Sequence, residues 1–200
     1  MRRLEAVKIS REASSSISTR KSAETPYKFF TVTQDKEPYL AIPQITSSRR
    51  KYIPMCFLTP DFIASDLILI ITAAQIYHFG ILTSSIHMAW MRAVAGRLKS
   101  DYRYSGSVVY NNFVWPAVDA EQKILIEQTA QKILDARKNY PHSTLADLYD
   151  ELTMPADLRL AHKKNDRAVA AAYGFENILD DESKIVAELM KLYEQLANLD

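Results

Sequence analysis

The spacing of apolar residues is mixed before residue 119 and helical after it, and this difference limits the folds available to the chain. Before residue 119, apolar runs are short and rich in β-branched and aromatic residues, as in Tyr39–Pro43. From Asp119 onward, apolar side chains recur at the three- and four-residue spacing of amphipathic helices. The sequence therefore predicts an α+β region over residues 1–118 and an all-α region over residues 119–200.

The first region begins with a polar, basic, serine-rich segment, residues 1–26. Its composition suits a short helix that runs into a loop and equally a flexible arm. Beyond it, Lys51–Leu58 is expected to be an edge or partly buried strand, because Pro54 has no N–H to donate. The unbroken apolar run Leu67–Ile71 predicts a strand buried on both faces. Further strands are predicted at Phe29–Thr33 and Tyr39–Pro43, with a turn at Thr46–Lys51.

The apolar spacing becomes helical between His78 and Arg97, with one apolar stripe and a predicted end at Gly96. Residues 98–113 then alternate enough to predict two strands joined by a turn at Ser105–Gly106. Because Lys99 and Asp101 fall in the part interpreted as extended, their side chains are expected to point to the same face.

Local signals predict the ends of the C-terminal helices. Asp119 followed by Gln122 has the form of a capping box. Pro155 is typical of the first turn of a helix, and Gly174 of the residue that follows one.

Charge is divided unevenly between the two regions. Residues 1–118 contain 15 Lys and Arg against 8 Asp and Glu, whereas residues 119–200 contain 10 against 16. The net charges of +7 and −6 make up the overall +1. Since nucleic acids present phosphates, the first region suits them, and the acidic second region is expected not to face them.

Several classes of function lack the residues they need. The four glycines, Gly80, Gly96, Gly106 and Gly174, are too scattered for a phosphate-cradling loop, which argues against a self-contained nucleotide or S-adenosylmethionine fold. The histidines, His78, His87, His142 and His162, show no metal-ligand spacing. For His78 and His87 a structural role is the better interpretation.

The compartment is predicted from cysteine use and hydropathy. Cys56 is the single cysteine and cannot form an internal disulfide, which favours a reducing, cytoplasmic location. The first residues lack the apolar core of a secretion signal. Residues 67–91 carry no formal charge, but polar side chains interrupt them too often for a membrane-spanning helix, so no membrane is expected as a partner.

Two basic clusters are candidates for contact with a nucleic-acid backbone. The predicted turn contains Arg49, Arg50 and Lys51 beside two serines, and a second group comprises Arg92, Arg97, Lys99 and Arg103. Aromatic residues interleave with the second group and could stack on bases: Tyr102, Tyr104, Tyr110, Phe113 and Trp115. The alternative is a solvated basic turn beside an aromatic core cluster.

Lys99 and Asp101 have the chemistry to read one base pair. A lysine donates to guanine O6 or N7, and an aspartate accepts from cytosine N4. The alternative is an exposed local salt bridge worth less than about 1 kcal/mol.

Long stretches of the sequence resemble the MmeI-like family, type IIL restriction–modification enzymes whose parent chain is an N6-adenine DNA methyltransferase. Tyr77–Ser105 (YHFGILTSSIHMAWMRAVAGRLKSDYRYS) and Val109–Pro116 (VYNNFVWP) resemble its target-recognition region, and Tyr39–Leu58 the part before it. Thr144–Val169 resembles the C-terminal helical segment. In all, the resemblance covers essentially residues 15–197. One departure is Val114, which stands where the family's N-x-F-P-W-P motif has a proline.

The resemblance implies a division into a basic helix or linker over residues 1–26, a DNA target-recognition domain over 27–118 and a C-terminal helical domain over 119–200. It also implies that base-reading side chains lie in the stretch that holds Lys99 and Asp101. The methyltransferase tetrapeptide [DNS]-P-P-[YF] occurs nowhere in the 200 residues, and no nuclease motif is present. The chain alone is therefore expected to be inactive and to bind no cofactor, with S-adenosylmethionine held by the parent enzyme.

The expected function is that of a DNA sequence-recognition fragment. Its expected partners are double-stranded DNA and the methyltransferase domain missing from this sequence. The competing hypothesis is a protein-interaction or oligomerisation module that does not bind DNA.

Overall fold

The computed structural model describes residues 2–30 and 36–198, in two compact units formed by residues 1–35 and 36–200. The first unit contains helix α1 (Arg2–Glu12), helix α2 (Ile17–Lys21) and a 3-10 turn at Ser22–Glu24. No residue of α1 is buried. The Arg11 guanidinium donates to three backbone carbonyls, those of Ser22 (2.9 Å), Thr25 (3.1 Å) and Lys28 (2.8 Å), and so ties the unit together. The predicted strand Phe29–Thr33 lies partly outside the described residues, and its first two residues belong to no strand.

In the second unit, a three-stranded antiparallel sheet has strand β1 (Tyr39–Pro43) at its centre. Strands β3 (Cys56–Leu58) and β4 (Ile68–Thr72) flank it, with Tyr39 opposite both Leu58 and Thr72. The prediction for β1 is confirmed. Of Lys51–Leu58 only the last three residues form a strand, because Pro54 lacks a donor and a tight turn joins Met55 N to Ile53 O (2.9 Å). The predicted strand at Leu67–Ile71 is present as β4, but it is a half-buried edge strand rather than one buried on both faces.

A second small sheet has the strand order β2 (Ile45–Thr46), β6 (Asp101–Arg103), β5 (Gly96–Leu98). Strands β5 and β6 form a hairpin whose turn is Lys99–Ser100, not Ser105–Gly106 as predicted. The second predicted strand is instead a π-helical turn, Gly106–Tyr110. Ser105 caps this turn by accepting from Val108 N (3.3 Å), and the Trp90 indole donates to Val109 O (2.9 Å).

The single helix predicted for His78–Arg97 is two helices, α3 (Ile76–Leu82) and α4 (Ser85–Val94). Ser84 separates them. Its hydroxyl donates to Ile81 O (2.7 Å) at the end of α3 and accepts from His87 N (3.3 Å) at the start of α4. An N-capping serine inside a continuous apolar stripe therefore divides the helix without disturbing its periodicity.

The C-terminal region is all-α, as predicted: helices α5 (Ala120–Lys138), α6 (Leu145–Leu148), α7 (Ala156–Tyr173) and α8 (Glu182–Ala197). The Asp119–Gln122 capping box is confirmed, with Gln122 N donating to Asp119 Oδ1 (2.8 Å) and Asp119 N to Gln122 Oε1 (3.1 Å). Gly174 ends α7 in the left-handed conformation at φ 71°.

One hydrophobic core joins residues 36–118 to the C-terminal helices. Helix α3 packs on α5, α5 on α7, and α4 on α8. Gly80 allows α3 to approach α5 closely, because a Cβ there would lie 2.8 Å from Ile126 Cγ2 and 3.0 Å from Ala130 Cβ. Among the described residues, no helix is both long and apolar enough to cross a membrane.

Candidate nucleic-acid interface

The second sheet brings two predicted basic segments to the same end. Because β2 and β6 are antiparallel, with Thr46 opposite Tyr102, the chain leaves β2 beside the start of β6. The turn after β2 therefore lies next to the β5–β6 hairpin turn. A hydrogen bond links the two turns, because the Asp101 carboxylate accepts from Ser48 N (3.3 Å). We call residues 47–51 and 96–103 the hairpin end.

The hairpin changes the expected relation between Lys99 and Asp101. Lys99 is exposed and has a left-handed backbone at φ 56°, and Asp101 opens β6. The two are therefore not alternate residues of one strand, as the extended interpretation required. They flank the tip of a turn, and no ion pair joins them in the part of the chain that the structure describes. Their base-reading role stays a prediction.

Arg97 and Arg103 lie on opposite faces of the hairpin. Arg97 pairs with Tyr102 across the strands, and its guanidinium lies 3.7 Å from the Tyr102 ring centroid and donates to Ser100 O (3.1 Å). Arg103 is exposed on the other face, in register with Gly96. Both cations are accessible from solvent.

The basic turn presents its cations to solvent to different degrees. Arg49 and Lys51 are exposed, whereas Arg50 is half-buried and its backbone N–H donates to Ser47 O (3.1 Å). The Lys51 ammonium lies 5.7 Å from the Tyr52 ring centroid. Exposed cations beside serine hydroxyls are the residue types that contact phosphate oxygens.

Arg92 differs from the other predicted backbone contacts. Its side chain is only 22% exposed, and its guanidinium makes a 2.7 Å ion pair with Glu182 of α8. It also donates, at longer range, to Arg50 O (3.4 Å) and Lys51 O (3.3 Å). Arg92 thus supports the basic turn from within the fold and does not stand beside Arg49 on its surface.

Immediately after the turn, Tyr52 enters a buried polar network. Its hydroxyl donates to Asp166 Oδ2 (2.6 Å), and Ser85 N donates to Asp166 Oδ1 (2.8 Å). The His162 ring stacks on Tyr52 with centroids 4.1 Å apart. Burial raises the pKa of Asp166 and of Tyr52, and the neighbouring Asp166 carboxylate raises the pKa of Tyr52 further. Tyr52 therefore stays protonated and acts as the donor.

The network continues along α5 and α7. The Tyr149 hydroxyl and His162 Nε2 are 2.7 Å apart, and Arg137 contacts the same hydroxyl and donates to Met55 O (2.7 Å). A second branch joins Thr129 Oγ1 to Asn165 Oδ1 (3.1 Å) and Asn165 Nδ2 to Gly80 O (2.7 Å). We call these contacts the seam. The seam joins residues 36–118 to the C-terminal helices, and its residues are Tyr52, Gly80, Ser85, Thr129, Arg137, Tyr149, His162, Asn165 and Asp166.

The sequence predicts no buried polar network: Gly80 and His162 are considered only as a glycine and a histidine without a cofactor or metal motif, and the other seam residues are not considered. A usable signal is nevertheless present on α7. His162, Asn165 and Asp166 occupy the spacing of its apolar face, and all three are buried. Polar side chains on a buried stripe need hydrogen-bond partners from elsewhere in the fold.

The aromatic residues of β6 and of the segment after it pack against the fold rather than face solvent. Tyr102, Tyr104 and Phe113 are buried, and Tyr110 and Trp115 are half-buried.

Two histidines join this aromatic group. His87 is fully buried, with Nε2 2.9 Å from the Tyr104 hydroxyl, and burial lowers its pKa to about 3. His78 accepts from Gln75 N (2.9 Å) at the start of α3. Val114 is the residue at which the sequence departs from the motif of the family that it resembles. Its carbonyl accepts from the Tyr173 hydroxyl (2.6 Å) and so connects this loop to α7.

Within residues 2–30 and 36–198, no three His, Cys, Asp or Glu side chains are grouped as a metal site requires. The candidate site consists of exposed cations and hydrogen-bonding groups.

Two family models match the chain. One described as "MmeI, target recognition domain" matches residues 1–117, and one described as "MmeI, C-terminal domain" matches residues 118–199. The chain is also similar to the DNA methyltransferase A of Bacillus subtilis (strain 168), at 42% identity over 186 residues, which are 93% of this chain and 21% of that protein.

Its structure is similar to that of the type IIL restriction-modification enzyme MmeI in complex with DNA. The TM-score is 0.92 and the identity 43%, over 98% of this chain and 26% of that one. The chain therefore spans about a fifth to a quarter of the length of these relatives.

Proposed function

The chain belongs to the MmeI family, and on that premise we propose that it selects the DNA sequence at which a larger N6-adenine methyltransferase acts. The observation that carries this proposal is the hairpin end. There the fold places Arg49, Lys51, Lys99 and Arg103 in solvent on two turns joined by the Asp101–Ser48 hydrogen bond. Phosphate contacts from such cations position a protein on a duplex, and a protruding turn can reach base edges.

The residues of this chain do not fit S-adenosylmethionine, the cofactor that the family resemblance implies. A cofactor loop between a strand and a helix needs closely spaced glycines. Here no two glycines are closer than ten residues, and Gly80 and Gly174 serve helix packing and helix termination. We therefore derive no methyl-transfer step from this chain and assign that chemistry to other parts of the larger enzyme.

The DNA-binding part of the proposal is tested by salt dependence. Fluorescence anisotropy with a labelled duplex is measured between about 50 and 200 mM salt, where each phosphate contact adds about 0.9 to the slope of log affinity against log salt. Replacing Arg49, Arg50 and Lys51 by Ala is expected to flatten the slope by about 2–3 and to weaken binding to every sequence alike. The matched control replaces Lys132, Lys138 and Lys191, three exposed lysines of α5 and α8, by Ala and removes the same charge.

Absence of salt-dependent binding by the unmodified chain contradicts the proposal. In that case self-association, measured by analytical ultracentrifugation, would support the protein-interaction module instead.

The finer proposal is that Lys99 and Asp101 read one G·C pair from the hairpin tip. Exchanging their charges, Lys99→Asp with Asp101→Lys, is expected to change the preferred base at one position, since each good contact discriminates by about 1–3 kcal/mol. The readout is a map of methylated sites, with the chain embedded in a complete family methyltransferase.

Asp101 also accepts from Ser48 N, so its loss could act through the turn. Asp101→Asn separates the two effects, because an amide oxygen can still accept from Ser48 but no longer carries the charge. An unchanged recognition sequence in the charge-exchanged variant, with methylation retained, rules out the base-reading role.

A further inference from the structure

A cavity of about 590 Å³ lies beside the basic turn, between α4, α7 and α8. Lys51 lines it from the turn and Arg92 from α4. Helix α7 contributes Lys163 and Arg167, both exposed. The cavity therefore joins a cation of the hairpin end to cations of the acidic C-terminal region.

Most cations of that region are already committed to other groups. Of its ten lysines and arginines, six have a partner. Three of these are lysines in ion pairs with Asp or Glu, one is a lysine on an aromatic ring, and two are arginines that donate to oxygen: Lys138, Lys184 and Lys191, then Lys123, then Arg137 and Arg159.

Four cations remain. Within residues 2–30 and 36–198, the structure gives Lys132, Lys163, Lys164 and Arg167 no ion pair, side-chain hydrogen bond or ring contact. Three of the four lie within five consecutive residues of α7. Lys163 and Arg167 are four residues apart, so their side chains share one face of the helix.

Two of the acidic residues that line the cavity have partners other than Lys163 and Arg167. Asp166 points into the seam and accepts from Tyr52 and Ser85. Glu182 is paired with Arg92 at 2.7 Å.

Two further acids, Glu176 and Asp180, lie beyond the C-terminal end of α7. Lys163 is ten residues before that end, about 15 Å along the helix axis, and Arg167 is six residues before it, about 9 Å. Lys163 is therefore the cation of this face that lies farther along α7 from these two acids.

We propose that Lys163 and Arg167, together with Lys51, form a second contact with the DNA phosphate backbone, supplied by the C-terminal domain. This inference rests on the proposed function and extends it across the domain boundary. It also revises the expectation that the acidic region turns away from phosphates. A net charge of −6 describes residues 119–200 as a whole, whereas a phosphate responds to the charges within about 10 Å of it.

The test uses a double variant, Lys163→Ala together with Arg167→Ala. Its control is a second double variant, Lys132→Ala together with Lys191→Ala. Both double variants lose two positive charges from exposed helical positions. With the 200-residue chain and two duplexes of unrelated sequence, we expect the α7 variant to flatten the salt slope by about 2. It should weaken binding to both duplexes equally, and the control should bind nearly as the unmodified chain does. Lys163→Arg with Arg167→Lys keeps the charges and should restore the slope.

Three outcomes overturn the inference. In the first, the α7 variant has the same salt slope as the control, while the Arg49–Lys51 triple variant still flattens the slope. The chain then binds DNA, but α7 does not contact it. In the second, inorganic phosphate at constant ionic strength competes with DNA, but the salt slope of the α7 variant equals that of the unmodified chain. The cations would then bind a free anion and not the DNA backbone. Failure of the unmodified chain to bind DNA overturns the proposed function as well.

Discussion

Lys51 and Tyr52 are neighbours in the chain, yet they belong to regions that obey different physical rules. Lys51 stands exposed at the hairpin end, where the cations have few partners. Tyr52 is 1% exposed in the seam, where its hydroxyl is hydrogen-bonded at 2.6 Å and its ring is stacked on His162. One peptide bond separates a surface available to a ligand from a network that holds the fold together.

The difference separates function from stability in this molecule. Exposed ion pairs contribute only about 0–1 kcal/mol, so the fold loses little when a surface cation is replaced. A buried donor or acceptor that loses its partner costs about 1–3 kcal/mol, so the seam tolerates few substitutions. Changes at the hairpin end should alter DNA binding in a folded protein, whereas changes in the seam should alter folding first.

The largest effect is expected from Asp166→Ala, which removes the acceptor for both Tyr52 and Ser85. Leaving the buried Tyr52 hydroxyl and the half-buried Ser85 N–H unpaired should lower the free energy of unfolding by about 2–5 kcal/mol, measured by urea denaturation. Asp180→Ala, an exposed position by the same cavity, is the control and should change it by less than about 0.5 kcal/mol. A small effect of Asp166→Ala would mean that the seam does not stabilise the fold as argued.

Acid should weaken the buried regions next. Burial lowers the pKa of His87 from 6.5 to about 3 and the pKa of His162 well below 6.5, and for His162 the positive charges of Arg137 and Lys51 add to the effect. The unfolded chain then binds these protons at a higher pH than the folded chain. The stability from neutral histidines is therefore complete above pH 6.5 and is lost as the pH falls, in the case of His87 until the pH reaches about 3.

For each histidine the loss should approach about 1.4 kcal/mol per pH unit below 6.5. Urea denaturation at several pH values measures it. His87→Gln should reduce the pH dependence, whereas His142→Gln, at an exposed position, is the control. Equal pH dependence in both variants would contradict the assignment.

Two glycine substitutions, one in the seam and one at the hairpin end, compare the two regions directly. Gly80→Ala places a Cβ 2.8 Å from Ile126 in the core and should cost about 1–3 kcal/mol by overpacking. Gly96→Ala, in β5 of the hairpin end, meets nothing within 4 Å and should be neutral or stabilise by up to about 1 kcal/mol. Thermal and urea unfolding of both variants measure the difference. Equal losses would show that close helix packing at Gly80 is not the cause.

The smallest effect is expected at the hairpin end itself. Arg49→Ala and Arg103→Ala should each leave the free energy of unfolding within about 0.5 kcal/mol of the unmodified chain, because both side chains are exposed. Anisotropy on the same samples should show weaker DNA binding. A loss of stability comparable to that of Gly80→Ala would remove the contrast between the two regions.

Features that depend on neighbouring residues were predictable. Strand β1 and the Asp119–Gln122 capping box occur where the sequence predicts them, and Gly174 ends α7. Each depends on side chains within a few residues. The predicted turn at Ser105–Gly106 failed because a serine and a glycine favour several local structures, and contacts such as that of Trp90 with Val109 O select the π-helical turn.

By itself, the sequence determined the change from an α+β region to an all-α region, the family, and which residues carry charge. Only the tertiary structure decided which charges remain available. Arg92 is bound by Glu182, ninety positions away, and Tyr52 by Asp166, 114 positions away. Lys163 and Arg167, in the acidic region, stay unpaired beside Lys51 within the described chain. Composition and periodicity record what each residue is, but the free energy of a charge depends on its neighbours in space, and folding chooses those from distant parts of the chain.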